Sequence, residues 1–341
     1  MNLKATFEKR VFTFKRPSGT SRGVLNDKKA WLITVWDEVN PSIKGVGECS
    51  VIPHLSPDYP NDEVYEAKVK EVAENVHYFA KNIAELTAFP SIYFGLEMAL
   101  VDLKNGGKRI FYDTAFTQGK TEIPINGLVW MGDEAFMKEQ IEQKLAEGFS
   151  CIKMKIGAIE FEKEMRLLRS IRKRFSADRI TLRVDANGAF SPAEAVDKLT
   201  ALKEFELHSI EQPIKQGQIA EMKALCAQNI VPIALDEELI GIYEYEQKAK
   251  LLDEIKPQYI ILKPSLVGGF KGTAEWIELS EARNIPWWIT SALESNIGLE
   301  AIAQFTSTYP VTMEQGLGTG ALYVDNIESN LHVENGQLLV K

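Results

Sequence analysis

The feature that most constrains this chain is an alternation running from about residue 121 to residue 317. Short β-like runs there are separated by helical stretches at intervals of roughly 25 to 30 residues. The runs fall at residues 123–129, 151–156, 180–185, 207–211, 232–236, 259–263, 287–291 and 311–315. Between them lie segments such as DEAFMKEQIEQKLAEG and FEKEMRLLRSIRKRF, with apolar residues three or four apart and charge elsewhere. Strands alternating with amphipathic helices give a parallel sheet with helices outside it. Eight strands in about 200 residues point to a closed (β/α) barrel. Periodicity alone leaves an open sheet as the alternative.

Residues 1–120 read differently, as an α+β domain with early alternating strands (3–14, 31–36) followed by helical stretches over 61–86 and 91–105. The barrel domain is expected over 121–317. Residues 318–341, ending in LHVENGQLLVK, read as a short strand and turn that pack back on the first domain. The 48 acidic residues outnumber the 39 basic ones, the net charge is −9, and no basic block stands out, so nucleic acid is not an expected partner. No apolar run approaches the ~20 residues of a membrane span, and the N-terminus alternates like a strand and lacks the pattern of a signal peptide. Cys49, Cys151 and Cys226 are odd in number and far apart, which fits a reducing, cytoplasmic compartment. Nothing in the pattern sets an oligomeric state.

Five successive strands end in an ionisable residue: Lys155, Asp185 in LRVDANG, Glu211 in HSIEQP, Asp236 in IALDEE and Lys263 in IILKPS. Their intervals of 30, 26, 25 and 27 residues track the strand–helix repeat. An Asp after a strand is more often the N-cap of the next helix, but five in phase are harder to explain as caps. In a barrel they converge at the C-terminal mouth, where active sites are built. Three converging carboxylates repel one another unless a cation neutralises them. Mg²⁺, a hard oxygen-seeking ion, is the expected cofactor, with Mn²⁺ as a substitute. The ion stabilises charge developing on a small-molecule carboxylate, while a neutral lysine removes the adjacent proton.

The stretch SCIKMKIG (150–157) puts Lys153 and Lys155 on one face of one strand. For a K-x-K alone, a wet edge strand is the simpler explanation. At about 7 Å apart, each ammonium disfavours the other's charged form by roughly 2 to 3 kcal/mol at an effective dielectric near 20. On this reading the pair exists because one lysine makes the other a usable base.

These residues resemble the enolase superfamily, its muconate-lactonising subgroup in particular: K-x-K on the second barrel strand, Asp, Glu and Asp on the third to fifth, and Lys on the sixth. The resemblance spans nearly the whole chain and implies a (β/α)7β TIM-like barrel with an N-terminal α+β capping domain. Lysine bases working with Mg²⁺ are a known pattern of that superfamily. Within the subgroup, GVGECSVIPHLSPD (45–58), TSRGVL (20–25), SALES (291–295) and GLGTG (316–320) look like the o-succinylbenzoate synthase family. That likeness implies Mg²⁺-dependent dehydration of 2-succinyl-6-hydroxy-2,4-cyclohexadiene-1-carboxylate to 2-succinylbenzoate, a step of menaquinone biosynthesis. Lys155 would take the α-proton and assist loss of hydroxide, Asp185, Glu211 and Asp236 would hold the metal, and Lys263 would stabilise the enediolate. N-acylamino acid racemases and dipeptide epimerases share the same five residues. GLGTG lacks the Asp-x-Asp of the epimerases, which lowers that alternative and leaves the racemase. Gly318 departs from the Asp common in o-succinylbenzoate synthases.

Other residues divide between roles. Arg183, facing the barrel interior, is a substrate or supporting contact or else an internal salt bridge. Asn187 supports a metal ligand or caps the next helix, and Glu237 backs Asp236. Ser291 and Ser295 resemble family positions near the substrate carboxylates. Ser21 and Arg22 read as a solvated turn, although the family's equivalent loop is a lid. The four histidines show no ligand spacing, and Trp287 and Trp288 read as core. A Schiff-base lysine would leave three in-phase carboxylates without a reason.

Overall fold

The computed structural model describes residues 2–20 and 23–341; Ser21 and Arg22, the expected turn or lid, lie outside the described residues. Three long strands, β1 (Leu3–Thr20), β2 (Gly23–Asp37) and β3 (Asn40–Ser50), form an antiparallel meander in that order. Trp31, Ile33 and Val35 alternate inward from β2 and pack with Tyr65, Val69 and Leu96 of the helices Asp62–Glu74 and Pro90–Lys104. The second helix lies almost against the strand backbone. A Cβ on Gly47 would stand 1.8 Å from Gly95 O, so only glycine permits this approach.

The barrel sheet has seven parallel strands: β5 (Gly127–Val129), β6 (Cys151–Lys155), β7 (Thr181–Asp185), β8 (Ser209–Glu211), β9 (Ile233–Leu235), β10 (Tyr259–Leu262) and β11 (Trp287–Ile289). Each runs next to its sequence neighbour, with helices on the outside, and the sheet closes on itself as a TIM-type barrel. The expected strand at 311–315 does not form. Gln315 and Gly316 close the gap alone: Gln315 N donates to Pro124 O (2.7 Å), Asn126 N to Gln315 O (3.0 Å), Gly316 N to Ile289 O (2.8 Å) and Ser291 N to Gly316 O (3.1 Å). The Gln315 side chain adds a bond from Ile289 N (2.7 Å), replacing part of the missing ladder.

The expected strand 123–129 is also divided. Its first part, β4 (Ile123–Pro124), pairs with the C-terminal hairpin of β12 (Leu331–Glu334) and β13 (Gln337–Val340). Asn335 and Gly336, at φ 50° and 72°, make the two-residue turn that an Asn-Gly pair favours. The hairpin therefore joins the barrel's lower rim and not the first sheet. It is the preceding segment that returns to β1, where Lys15 N donates to Leu322 O (2.8 Å) and Val324 N to Thr13 O (3.0 Å).

The barrel interior below the mouth is filled by Ala234, Ile261 and Trp288, with Tyr259 and Met313 packed beside them. Trp287 points outward, against Tyr309 at a ring distance of 5.3 Å. Among the described residues no helix is long and apolar enough to cross a membrane. His208 stacks on Tyr259 (4.6 Å), and burial, with the nearby Arg183 charge, pushes its pKa down to about 4. A base depressed from 6.5 contributes stability that is present above pH 6.5 and lost as pH falls towards 4. His208→Gln is expected to remove up to about 1.4 kcal/mol per pH unit from the slope of unfolding free energy in that window. Urea titrations of both proteins between pH 4 and 7 measure the difference.

Candidate active site

Alternate residues of each barrel strand face inward, so Lys153 and Lys155 of β6, Asp185 of β7 and Glu211 of β8 point into the mouth. Backbone register sets Lys155 opposite Asp185 and Asp185 opposite Glu211. Asp236 and Lys263 immediately follow β9 and β10. All six are buried, none more than 9% exposed. The structure thus brings together the five strand-end residues and Lys153.

Their contacts form a chain of alternating charge. Lys155 Nζ lies 2.9 Å from Asp185 Oδ2 and donates to Asn187 Oδ1 at 2.9 Å. Lys153 Nζ reaches the same Asp185 oxygen at 3.1 Å and also contacts Glu211. Lys263 Nζ contacts Asp236 and stands 3.9 Å from Glu211 Oε1. The repulsion expected between Lys153 and Lys155 is therefore countered by a shared carboxylate. Burial pushes the Lys153 pKa down, but Asp185 and Glu211 outweigh it and raise the value overall. Lys263 is raised in the same way, burial being overcome by Asp236 and Glu211. Against the cost of burial, Lys153 and Lys155 hold Asp185 below the usual carboxylate range. Glu211 goes the other way, up to about 8, because burial and the Asp185 charge exceed the help of Lys153.

Neither oxygen of Glu211 accepts a hydrogen bond of good geometry, although both are buried. Three carboxylates at successive strand ends, one of them with no well-formed hydrogen bond to either oxygen, are a donor set that fits a hard divalent cation. Among the described residues, no three His, Cys, Asp or Glu side chains are gathered closely enough to bind a metal as placed. Ammonium groups bridge the carboxylates instead.

The lysines open onto a cavity of about 360 Å³. Its floor includes Lys153, Lys155, Asp185 and Lys263; Trp130, with its ring centroid 6.0 Å from Lys155 Nζ, stands on one side. Leu25, Ile52 and Leu55 of the first domain cover it. Another part of the lining is neutral, formed by Asn126, Ser291, Leu293 and Thr319, with Ser291 Oγ 2.6 Å from Thr319 Oγ1.

Asn187, at φ 45°, lines the cavity and links Lys155 to Glu237 by its Nδ2 bond to Glu237 Oε1 (3.1 Å). Ser291 also lines it. Two expected residues are placed elsewhere. Arg183 stacks on Trp288 at 4.1 Å beneath the mouth and donates to Glu314 O at 2.6 Å, with Glu314 Oε2 at 3.7 Å, so the internal ion pair is the arrangement found. Ser295 caps the helix Asn296–Thr306 and donates to Glu48 Oε2 at 2.6 Å. Sequence reasoning missed Asn126, Trp130 and Thr319. Asn126 and Trp130 share the inward face of the first barrel strand with Leu128, a signal that strand parity carries. Thr319 stands within the quoted GLGTG.

The family model described as "Enolase C-terminal domain-like" matches residues 136–341. An o-succinylbenzoate synthase from Desulfotalea psychrophila is 47% identical over 98% of each chain. The crystal structure of MenC from the same organism superposes with a TM-score of 0.87 at 44% identity, covering 100% of both chains. An N-succinylamino acid racemase from an Amycolatopsis species is 26% identical over 84% of this chain and 77% of its own.

The placement of Arg183 gives a prediction. Arg183→Met should lower stability by about 2 to 3 kcal/mol, because the cation over the Trp288 ring is lost and Glu314 is left without its buried partner. Denaturant unfolding measures this, and the folded variant should keep turnover within a few-fold, since no part of Arg183 lines the cavity.

Proposed function

The chain belongs to the enolase superfamily, in its o-succinylbenzoate synthase family, and from that premise we propose that Lys155 and Lys263 carry out the family's dehydration. The enzyme is a carbon–oxygen lyase of menaquinone biosynthesis. The observation that carries the assignment of residues is the convergence of Lys155, Lys263 and three strand-end carboxylates on one covered cavity.

The substrate is 2-succinyl-6-hydroxy-2,4-cyclohexadiene-1-carboxylate. Asp185, Glu211 and Asp236 are the residues that would hold Mg²⁺, or Mn²⁺ as a substitute, and the ion would supply positive charge for the substrate's ring carboxylate. Lys155, oriented by Asp185 and Asn187, is the base that removes the proton α to that carboxylate. Lys263, kept charged by Asp236, faces the enediolate that results and stabilises it. Protonated Lys155 then gives its proton to the departing hydroxyl, so that one C–H and one C–O bond break, water leaves and the ring becomes aromatic. The neutral wall of Asn126, Ser291 and Thr319 receives the succinyl arm. The three cysteines, all buried and unpaired, support a cytoplasmic location.

Conversion of the cyclohexadiene is followed by the change in ultraviolet absorbance as the ring becomes aromatic. Exhaustive chelation is expected to abolish turnover and added Mg²⁺ to restore it; full activity after chelation overturns the metal assignment. Asp185→Asn should weaken Mg²⁺ binding in calorimetry while its circular dichroism matches the wild type.

The racemase reading is favoured by one observation, that lysines reach the cavity from two sides. Racemisation needs both Lys155 and Lys263 to exchange protons, whereas dehydration needs one. Lys155→Ala should lose roughly 10²- to 10⁴-fold in kcat. Lys263→Arg, which keeps the charge but not the geometry, should retain measurable dehydration after a loss on the order of tenfold or more. Exchange of the α-proton of an N-succinylamino acid in deuterated water is the opposing assay. Efficient exchange by a wild type that leaves the cyclohexadiene untouched replaces the dehydratase with the racemase.

A further inference from the structure

The neutral wall of the cavity is held by a buried carboxylate that the proposed reaction does not use. Glu294 is 0% exposed. Its Oε1 accepts from Ser265 Oγ and its Oε2 from Ala292 N, each at 2.6 Å. Ser265, equally buried, stands two residues after Lys263 in the short helix Pro264–Val267. Ala292 lines the cavity between Ser291 and Leu293. One side chain therefore ties the segment that carries Lys263 to the segment that forms the wall.

That wall is strained. Leu293 has φ 62°, a left-handed conformation that a leucine holds only when its surroundings impose it. Tyr323 Oη donates to Leu293 O at 2.6 Å from one side. From another, Ser295 N and Oγ donate to Glu48 of β3 at 2.9 and 2.6 Å, so the first domain grips the same turn. Lys28 of β2, 2% exposed and donating to Ser50 Oγ (2.7 Å) and Val51 O (2.8 Å), supplies the nearby positive charge. A carboxylate buried merely to fill space would be replaced by an apolar residue at no loss. Glu294 instead joins two loops that flank one cavity.

We infer that Glu294 is a positioning residue, which sets Lys263 and the wall segment Ser291–Leu293 at a fixed separation across the cavity. Its kinetic consequence rests on the dehydration proposed above; the clamp itself does not. Glu294→Gln preserves both bonds, because the amide oxygen accepts from Ala292 N–H and the amide N–H donates to Ser265 Oγ. Glu294→Leu keeps the bulk and loses both.

Hydrogen–deuterium exchange reads the clamp without any turnover. Glu294→Leu should speed exchange over 264–267 and 291–295 by about tenfold or more, and Glu294→Gln should return it to the wild-type rate. Wild-type exchange in Glu294→Leu overturns the inference. Steady-state kinetics on the cyclohexadiene read the Lys263 side and the wall that Glu294 joins separately. Ser265→Ala, which frees the Lys263 side, should lower kcat about tenfold with KM nearly unchanged. Tyr323→Phe, which frees the wall side, should raise KM severalfold with kcat nearly unchanged. General destabilisation gives no such split, so the two variants altering the same parameter, or neither, refutes the positioning role even where Glu294→Leu does not fold. If the wild type does not turn over the cyclohexadiene, the functional reading falls while the exchange comparison still decides the clamp.

Discussion

Six buried ionisable groups at one end of the barrel govern the rest of the molecule. Lys153, Lys155 and Lys263 face Asp185, Glu211 and Asp236, and each is held in its buried place by partners of opposite kind. Backbone register on adjacent parallel strands is what holds them within reach, so the sheet must form for the cluster to exist. The balance also bears on binding. A divalent cation among these carboxylates would add two positive charges, which a substrate with two carboxylates would offset. The proposed substrate carries one carboxylate on its ring and one on its succinyl arm. Cation and dianion are then favoured together over either alone.

The five strand-end residues are legible in the sequence because two regularities coincide on them. The strand–helix repeat fixes their spacing, and strand parity fixes the face from which they emerge. Where a regularity is broken, the reading breaks with it. Composition places the eighth strand at 311–315, yet only Gln315 and Gly316 pair, and a side-chain amide supplies what the ladder lacks. Ser295 resembles substrate-contacting positions, but its partner Glu48 lies 247 residues away in sequence, beyond the reach of any local pattern. The lysine pair reads as simple repulsion because the sequence shows adjacency and not the carboxylate from the next strand that both ammonium groups share.

Contacts of the first domain explain why it belongs to the site. Leu25, Ile52 and Leu55 cover the cavity with apolar surface, which excludes water from the charged floor and strengthens every electrostatic contact there. The domain is fastened by two acids, the half-buried Glu97 and the buried Glu48, and not by apolar packing alone. Glu97, on the helix Pro90–Lys104, accepts from Phe270 N at 2.6 Å and Lys271 N at 3.3 Å, capping the start of the barrel helix Gly269–Glu281. Glu48 does the same for the turn that enters the helix Asn296–Thr306. Each acid meets orphan N–H groups at a helix start, where a carboxylate finds donors ready-made.

The cavity is thus divided into halves that answer different questions. On the proposed mechanism the charged half, on β6 to β10, determines what bond is broken, because a base beside a cluster of carboxylates and ammonium groups suits removal of a proton next to a carboxylate. The neutral half, from Asn126 and Trp130 round to Ser291, Leu293 and Thr319, presents hydrogen bonds and shape. Proteins with the same charged half and a different neutral half would share the first chemical step and differ in the second. That division accounts for how a synthase and a racemase can both resemble this chain. Reaction outcome in such a scaffold is decided by how the neutral wall turns the substrate relative to the two lysines, since the position of the leaving hydroxyl, or of the second face, determines which lysine acts next.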